Sequence, residues 1–342
     1  MNWFETLTGI AEESPEQVRD QLSIQDERIV CPNGNRLPYG RLELPKLSEL
    51  RKRVSQLPTG GRTQVRECVG DAKALHADPA NAKALFQVAS QFNLLEMVSP
   101  TVTPERGVGI YEHDHTQGPT CAIACGSGTI YRNYFAPVPV TDVHSEKSTI
   151  IGQTIIGQSS SNQLDCVADL GRSLGNNNGE LWSMQNGYLF PTDSGLAQIT
   201  ATLQSATDAK LEQLQGELRI GMQWQTPVTL TGAKHLVSQA YCSALPVAYG
   251  NQPVDDWADF AKLILDAAYE STLCVAIQNA TETGSNKLFL TLLGGGVFGN
   301  RDEWIISAID RALTKYRDHN LDVAIVSYAR SQPIVADFVS RW

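Results

Sequence analysis

The chain has 342 residues, of which 42% are hydrophobic and 19% charged, and its formal net charge is −10. This hydrophobic share suffices for one or two domains with a full core. A negatively charged chain without a Lys/Arg run is a poor candidate for extended nucleic-acid binding. No stretch approaches the roughly 20 apolar residues of a membrane span. The first residues also lack the basic start and apolar core of a signal peptide. We therefore expect a cytoplasmic protein without a membrane or nucleic-acid partner.

Seven cysteines are scattered along the chain without a CxxC pair: Cys31, Cys68, Cys121, Cys125, Cys166, Cys242 and Cys274. The spacing of Cys121 and Cys125 is more typical of a helix core than of a metal site. We expect reduced thiols, with neither structural disulfides nor zinc.

Residues 1–80 are predicted to form a helical extension ahead of the main domain. Ser14 suits an N-cap, because Pro15 follows it at the first helical position. A segment rich in Pro, Gly and Asn, residues 31–40, interrupts the helical pattern before it resumes at 47–57. The sequence offers no candidate catalytic group in this region.

A buried strand is predicted over residues 84–90, and a long loop at 99–119 leads from it towards an apolar helix at 120–135. Loops of this length in compact domains tend to be functional or disordered. Four polar residues cluster near its end: His113, Asp114, His115 and Gln117. As metal ligands they would need a further partner in a fixed geometry, which the sequence does not provide, so we predict no metal site.

The middle of the chain, residues 140–235, is predicted to carry inserts. Its segment 152–163 is rich in Gly, Ser and Gln, as is typical of a surface loop. The further elements predicted around it are helices at 165–174 and 196–214 and strands at 187–190 and 218–224. An apolar run at 237–249 then suits a central strand.

A strong helix is predicted over residues 254–279. Apolar residues such as Phe260 and Ile264 share one face, and four acids fall within about 80° on the other. These acids are Asp256, Asp259, Asp266 and Glu270. Two interpretations stay open: a solvated acidic face, or a face from which one or two carboxylates reach a ligand cleft to bind a cation or move a proton.

Residues 287–328 are the most informative stretch, because they have the pattern strand, glycine loop, helix, strand. An apolar run at 287–293 precedes three consecutive glycines, and a second buried strand is predicted at 323–328. This is a βαβ unit, and parallel strands require a crossover connection of this kind. A glycine loop that leads into a helix presents backbone N–H groups and the positive end of the helix dipole, which suits a phosphate.

The spacing of Gly294, Gly296 and Gly299 also satisfies the dinucleotide fingerprint. That fingerprint belongs to the first turn of a six-strand doubly wound sheet, whereas only one strand remains here after the loop. A plain tight turn is disfavoured, because three successive glycines cost more backbone entropy than a turn needs. We predict a diphosphate loop on a sheet of another kind.

The order of these features resembles the macrodomain superfamily. It consists of a strand ending in VAS, a following asparagine, a long loop closing on TQ, a helix beginning TCAIA, and LGGGVFGN near the end. The resemblance covers roughly residues 80–330 and is closest to the poly(ADP-ribose) glycohydrolase-like branch. It implies an α/β fold at 81–342, a three-layer αβα domain with a mixed sheet that binds ADP-ribose across the carboxyl ends of its strands and needs no cofactor.

The resemblance also implies which residues contact ADP-ribose. The loop that wraps the diphosphate corresponds to Gly294, Gly295, Gly296, Val297, Phe298, Gly299 and Asn300. Phe298 would lie against the distal ribose, with Gln87 and Asn93 as polar neighbours. Gln117 would close the long loop at the ligand, and Tyr328 would flank the adenine.

The chain departs from this branch at the catalytic motif. Its glycohydrolases carry Gln-Glu-Glu where this chain has Gln117-Gly118-Pro119, so the acid/base glutamate is missing. The chain also resembles a divergent group, including bacterial effector macrodomains, that removes ADP-ribose from arginine of proteins such as ubiquitin and uses other aspartates. The acids that match best by position are Asp256 and Asp266, then Glu270, with Asp114 and Glu112 as substitutes.

We therefore predict an ADP-ribosylhydrolase that cleaves the N-glycosidic bond between mono-ADP-ribose and a protein side chain, with arginine as the expected side chain. Its partners would be ADP-ribose and an ADP-ribosylated protein such as ubiquitin, and an effector would act in a host cytosol. The main alternative is a macrodomain reader that binds ADP-ribosylated proteins without cleaving them. A nucleotide-sugar hydrolase is more distant, and the lack of a GxSxG elbow disfavours a serine hydrolase.

Overall fold

The computed structural model describes residues 2–140 and 154–342. The strands are β1 (Ser23–Gln25), β2 (Arg28–Val30), β3 (Arg36–Pro38), β4 (Arg41–Glu43), β5 (Gln64–Val69), β6 (Leu85–Ala89), β7 (Pro137–Pro139), β8 (Thr154–Ile156), β9 (Trp182–Gln185), β10 (Tyr188–Pro191), β11 (Gly221–Pro227), β12 (Leu236–Cys242), β13 (Lys287–Leu290) and β14 (Asp322–Ser327).

The helices are α1 (Trp3–Thr8), α2 (Pro15–Gln21), α3 (Leu47–Val54), α4 (Ala72–Ala77), α5 (Gln117–Ala124), α6 (Gly126–Tyr134), α7 (Ala168–Leu174), α8 (Asp193–Ser205), α9 (Asp208–Gly216), α10 (Ala258–Thr283), α11 (Asp302–Lys315) and α12 (Pro333–Ser340). Short 3₁₀ helices span Pro79–Asn81, Pro104–Arg106, Gly109–His113, Val247–Tyr249 and Val254–Trp257. None of the described helices is both long and apolar enough to cross a membrane.

Seven strands form a central mixed sheet in the order β4-β11-β12-β6-β13-β14-β5. The pairs from β12 through β5 are parallel, whereas β11 runs antiparallel to both β4 and β12. Ala89 and Cys242 pair at the carboxyl ends of β6 and β12. The parallel half of the sheet therefore brings several carboxyl ends to one edge, where ligands of open α/β sheets are commonly bound.

Helices cover the central sheet on both faces. Successive residues of β13 and β14 therefore lie on opposite faces of the sheet. Leu288 and Ile325 belong to the large core under α10, whereas Phe289 and Ala324 belong to a smaller core on the other face. Helix α10 packs against α3, α8, α9 and α11, while α5 packs on β6 and α6 on β11. The predicted three-layer α/β arrangement with a mixed sheet is confirmed.

Residues 1–80 are not a separate helical extension, and this prediction is corrected. Strand β4 pairs with β11 and β5 pairs with β14, so this segment supplies both edges of the central sheet. Helix α3 packs against α10, and α1 and α2 enter a second core with α6. Both edge strands alternate polar with apolar residues over six residues or fewer, and their partners are far away in sequence, so no local pattern marks them.

Several predicted elements occur with shifted bounds. The strand at 84–90, the strand before the glycine loop and the last strand are present as β6, β13 and β14. The helix predicted at 120–135 is broken at Cys125, and the run at 237–249 is a strand only as far as Cys242. The predicted surface loop at 152–163 contains β8 in its described part, and residues 152 and 153 lie outside the described residues.

Candidate functional site

A cleft with a volume of about 200 Å³ opens at the carboxyl ends of β6, β12 and β13. Five segments line it, contributing among others Ala89, Ser90, Glu96, Met97, Val98, Asp114, Gln117, Gly118, Tyr188, Cys242, Ala244, Tyr249, Thr291, Gly294, Gly296, Val297 and Phe298. The cleft therefore joins the glycine loop to the long loop that carries Asp114.

Two glycines of the loop at 294–300 are required by its backbone. Gly294 and Gly299 have φ angles of +70° and +71°, a region that side chains disfavour. A Cβ at Gly294 would also lie 2.5 Å from the Asn300 side chain, which donates to the carbonyl of Leu245 at 2.8 Å. Asn300 is thus buried behind the loop and closes it, rather than facing a ligand as its sequence assignment implied.

The tip of the glycine loop presents a row of backbone donors. Among the described residues, no backbone carbonyl accepts the N–H groups of Gly296, Val297 and Phe298. All three residues border the cleft, and the side chain of Val297 is 60% exposed. Consecutive N–H groups without internal partners form an anion site that suits a phosphate.

Phe298 of the glycine loop forms an aromatic wall with two tyrosines. The wall consists of Tyr188, Tyr249 and Phe298, whose ring centroids are 5.4 to 5.8 Å apart. The hydroxyl of Tyr188 donates to the carbonyl of Met97 at 2.8 Å, which anchors the wall to the segment after β6. Phe298 was predicted from sequence, whereas the two tyrosines come from distant segments and were missed. Such a wall suits the faces of a sugar or a base.

Asp114 lies in the cleft, as the sequence analysis expected for an acid of the long loop. Its Oδ1 atom accepts the backbone N–H of Thr116 at 2.9 Å and the hydroxyl of Thr116 at 2.7 Å. These bonds fix the orientation of the carboxylate, and no described residue donates a hydrogen bond to its other oxygen. His113 and His115 are exposed beside it, and Glu112 is only partly buried outside the cleft lining.

Glu96 also borders the cleft, although the sequence analysis did not select it. Its side chain is buried, and Arg132 Nη2 lies 3.6 Å from Oε1. Burial raises the pKa of Glu96 to about 8, against the opposing effect of the charge on Arg132. A single acid inside the apolar run NLLEMV was the signal that could have identified it.

Gln117 has a structural role at the start of α5. Its Oε1 accepts the N–H of Ala89 at 2.9 Å and its Nε2 donates to the carbonyl of Gln87 at 2.8 Å, so it ties α5 to the end of β6. A Cβ at Gly118 would lie 2.0 Å from the carbonyl oxygen of Ala89. No side chain fits at position 118 in this arrangement, which gives a physical reason for the absence of a glutamate there.

Three further residues assigned to the ligand lie outside the cleft lining. Gln87 is buried and bonds to Thr272 of α10 and to the N–H of Thr291. Asn93 is buried and accepts the N–H of Leu95. Tyr328 is 70% exposed just after β14. Gln87 and Asn93 thus support the cleft in this structure, and the assignment of all three residues as ligand contacts stays a prediction.

The acids assigned to the predicted helix at 254–279 are not at the cleft either, and their catalytic assignment is corrected. Asp256 is exposed in the 3₁₀ helix Val254–Trp257 and borders a separate groove against α8. Asp266 lies between α10 and α9, where Gln215 donates to it at 3.2 Å. Glu270 is fully buried and forms ion pairs at 2.6 Å with Arg51 and 2.7 Å with Lys315.

The environment of these two acids separates their pKa values. Burial raises the pKa of Asp266 to about 6, although Arg311 opposes the rise. Burial also acts on Glu270, but the hydrogen bonds from Arg51 and Lys315 outweigh it and lower the pKa to about 2. Asp266 and Glu270 therefore face away from the cleft and belong to a charge network among α3, α9, α10 and α11, whereas Asp256 is exposed to solvent.

No family model and no curated protein matches this chain. Among solved structures, the chain is similar to poly(ADP-ribose) glycohydrolase from Thermomonospora curvata, at 13% identity over 96% of each chain with a TM-score of 0.46. The same enzyme bound to the inhibitor ADP-HPD gives 13% identity, the same coverage and a TM-score of 0.44. Poly(ADP-ribose) glycohydrolase from Deinococcus radiodurans in complex with ADP-ribose matches at 14% identity, over 87% of this chain and 92% of that chain, with a TM-score of 0.43. We interpret the cleft from its own residues.

Proposed function

We propose that this cleft binds ADP-ribose and hydrolyses the N-glycosidic bond between its distal ribose and an arginine of a modified protein. The observation that carries the proposal is the row of three N–H groups at Gly296, Val297 and Phe298, placed in one cleft with the carboxylate of Asp114. The amides supply an anion site in a protein whose net charge is −10, where a basic field is lacking.

The remaining walls suit the sugar. Phe298 links the amide row to Tyr188 and Tyr249, so a ribose next to the diphosphate would contact the aromatic wall. Holding the diphosphate at one end and the ribose at the other makes attack at the anomeric carbon effectively intramolecular. Asp114, oriented by Thr116, is then the acid available to the reacting carbon.

In the proposed reaction, the bond from the anomeric carbon to the guanidine nitrogen breaks while a water oxygen bonds to that carbon. The Asp114 carboxylate stabilises the oxocarbenium character of the carbon and accepts a proton from the water. That proton then passes to the departing guanidine, which is strongly basic. The products are ADP-ribose and unmodified arginine, and no other reactant is consumed. Ubiquitin modified on arginine is the candidate protein substrate.

A binding test addresses the amide row. Val297→Pro removes one N–H group, whereas Val297→Ala keeps it, so the two variants form a matched pair at an exposed position. We expect calorimetry to show at least tenfold weaker ADP-ribose binding for V297P and an unchanged affinity for V297A. Adenosine lacks the diphosphate and should not distinguish them. If wild-type protein gives no heat with ADP-ribose, the proposal fails.

A turnover test addresses Asp114. Incubation with arginine-ADP-ribosylated ubiquitin should release ADP-ribose, and Asp114→Asn should reduce kcat by about 10²- to 10⁴-fold, the range of general acid/base catalysis. The asparagine oxygen can still accept the bonds from Thr116, so the loop and ADP-ribose binding should be retained. Full turnover by D114N would refute this role.

The same assay tests the reader alternative. It is favoured by one observation, because Gly118 stands at the start of α5 with no space for a glutamate side chain. A reader would bind ADP-ribose and leave the modification intact even at stoichiometric protein. Release of ADP-ribose from modified arginine by the wild-type protein would exclude this alternative.

A further inference from the structure

The N-terminal segment contacts the long loop through one carboxylate, Glu12, which lies between α1 and α2. Its Oε1 accepts the N–H of Val108 at 2.9 Å and the hydroxyl of Tyr134 at 2.7 Å. Its Oε2 accepts the N–H of Gly109 at 2.6 Å. The carboxylate thus satisfies the donors at the start of the 3₁₀ helix Gly109–His113.

The loop is shaped to admit this carboxylate. A Cβ at Gly107 would lie 2.5 Å from the Glu12 carboxyl group, and one at Gly109 would lie 2.6 Å from Oε2. The φ of Gly107 is +84°, whereas that of Gly109 is not positive. Position 109 therefore requires glycine for the approach of Glu12 and of the nearby Asn2 side chain, and not for its backbone conformation.

The far end of the same 3₁₀ helix reaches the cleft in two places. Asp114 follows it directly, and its N–H donates to the carbonyl of Tyr111 at 3.1 Å. The buried hydroxyl of Tyr111 accepts the N–H of Glu96 at 2.9 Å. The 3₁₀ helix Gly109–His113 therefore connects the Glu12 carboxylate to Asp114 and to the segment at Glu96.

We propose that Glu12 is a positioning residue for the reaction, which fixes Asp114 and the segment at Glu96 through the 3₁₀ helix Gly109–His113. This inference rests on the proposed function. The glycine loop lies between β13 and α11, whereas the described hydrogen bonds of Glu12 go to Val108, Gly109 and Tyr134, so we expect diphosphate binding to be independent of Glu12. The segment before α2 thereby acquires a role in turnover and not in ligand binding.

The test compares Glu12→Ala with Glu13→Ala, which removes the same charge from the neighbouring exposed residue. We expect E12A to lower kcat on arginine-ADP-ribosylated ubiquitin at least tenfold, with the Kd for ADP-ribose within twofold of wild type. E13A should match wild type in both. E12Q should lie between, because its amide retains one acceptor oxygen. An E12A protein with wild-type kcat, or with equal losses of kcat and ADP-ribose affinity, would overturn the proposal.

A double-mutant cycle separates positioning from general destabilisation. Gly109→Ala should lower kcat in the wild-type background, because its Cβ displaces the Glu12 carboxylate, and should have a smaller effect in E12A, where the Asn2 side chain, 2.9 Å from that Cβ, is the remaining close contact. Independent, multiplicative losses would contradict the inference. Denaturant curves for each variant confirm that the assay measures folded protein.

Amide hydrogen exchange tests the contact between Glu12 and the long loop without measuring catalysis. In E12A, exchange at residues 108–116 should accelerate at least tenfold, while exchange at 294–300 stays at the wild-type rate. Unchanged exchange at 108–116 would refute the positioning contact even if turnover fell. If the wild-type protein releases no ADP-ribose, the proposed function fails, whereas this measurement still tests the connection from Glu12 to the long loop.

Discussion

Neutralising Glu270 and neutralising Asp266, one turn apart on α10, should change the stability of the protein in different directions. Glu270 is fully buried, and its oxygens accept bonds from Arg51 at 2.6 and 2.7 Å and from the hydroxyl of Tyr316 at 3.2 Å. Asp266 accepts a hydrogen bond from Gln215 at 3.2 Å, and Arg311 Nε lies 3.8 Å from the same oxygen. We predict that Glu270→Gln destabilises the protein at pH 7, whereas Asp266→Asn is neutral or stabilising.

The magnitude follows from the pKa values. For Glu270 the pKa falls from 4.5 to about 2 on folding, which corresponds to about 3 kcal/mol of stability. A lowered carboxyl pKa contributes stability above pH 4.5, and this contribution is lost as the pH falls towards 2. For Asp266 the pKa rises from 3.8 to about 6. Its charge therefore costs a similar amount, about 3 kcal/mol, above pH 6, and none below 3.8.

Urea unfolding of wild type, E270Q and D266N at pH 7 measures both effects. E270Q should lose about 3 kcal/mol in the free energy of unfolding, and more if the cations it leaves unpaired are not rehydrated. Neither substitution should change kcat of the folded protein, since both acids lie outside the cleft. An E270Q protein as stable as wild type, or a D266N protein that loses as much as E270Q, would refute the interpretation of this network.

Three further predictions concern the cleft. Because the pKa of Glu96 is raised to about 8, its neutral form stabilises the folded protein, and this stabilisation is lost as the pH rises from 4.5 to 8. The free energy of unfolding of Glu96→Gln should therefore vary less with pH than that of wild type between pH 6 and 9. Parallel curves of unfolding free energy against pH would contradict this. Gly118→Ala should destabilise the protein by about 1 to 3 kcal/mol in urea, because its Cβ overlaps the carbonyl of Ala89; wild-type stability would show that α5 can shift freely. Gly294→Ala should lower stability through its positive φ, whereas Gly296→Ala, which meets open space, should not; equal midpoints in thermal unfolding would refute the backbone argument.

The long loop and the acids of α10 show where sequence reasoning reached its limit. Asp114 lies in the cleft on the loop that the sequence analysis selected, and its catalytic role stays a prediction. Glu270 was assigned to the correct helix, but it faces cations rather than solvent or the cleft. Its partner Arg51 is 219 residues away, and a periodic pattern cannot distinguish acids that face solvent from acids that face distant cations.

The sequence by itself determined the glycine loop and the β13–α11–β14 unit around it. These features depend on φ angles, apolar alternation and free backbone amides within about 40 consecutive residues, so neighbouring residues encode them. Only the tertiary structure decided that β4 and β5 close the central sheet, that Tyr188 and Tyr249 join Phe298, and that Glu12 holds the loop carrying Asp114. Each of these contacts joins segments far apart in the chain, and its free energy comes from burial and pairing that exist only once the chain has folded.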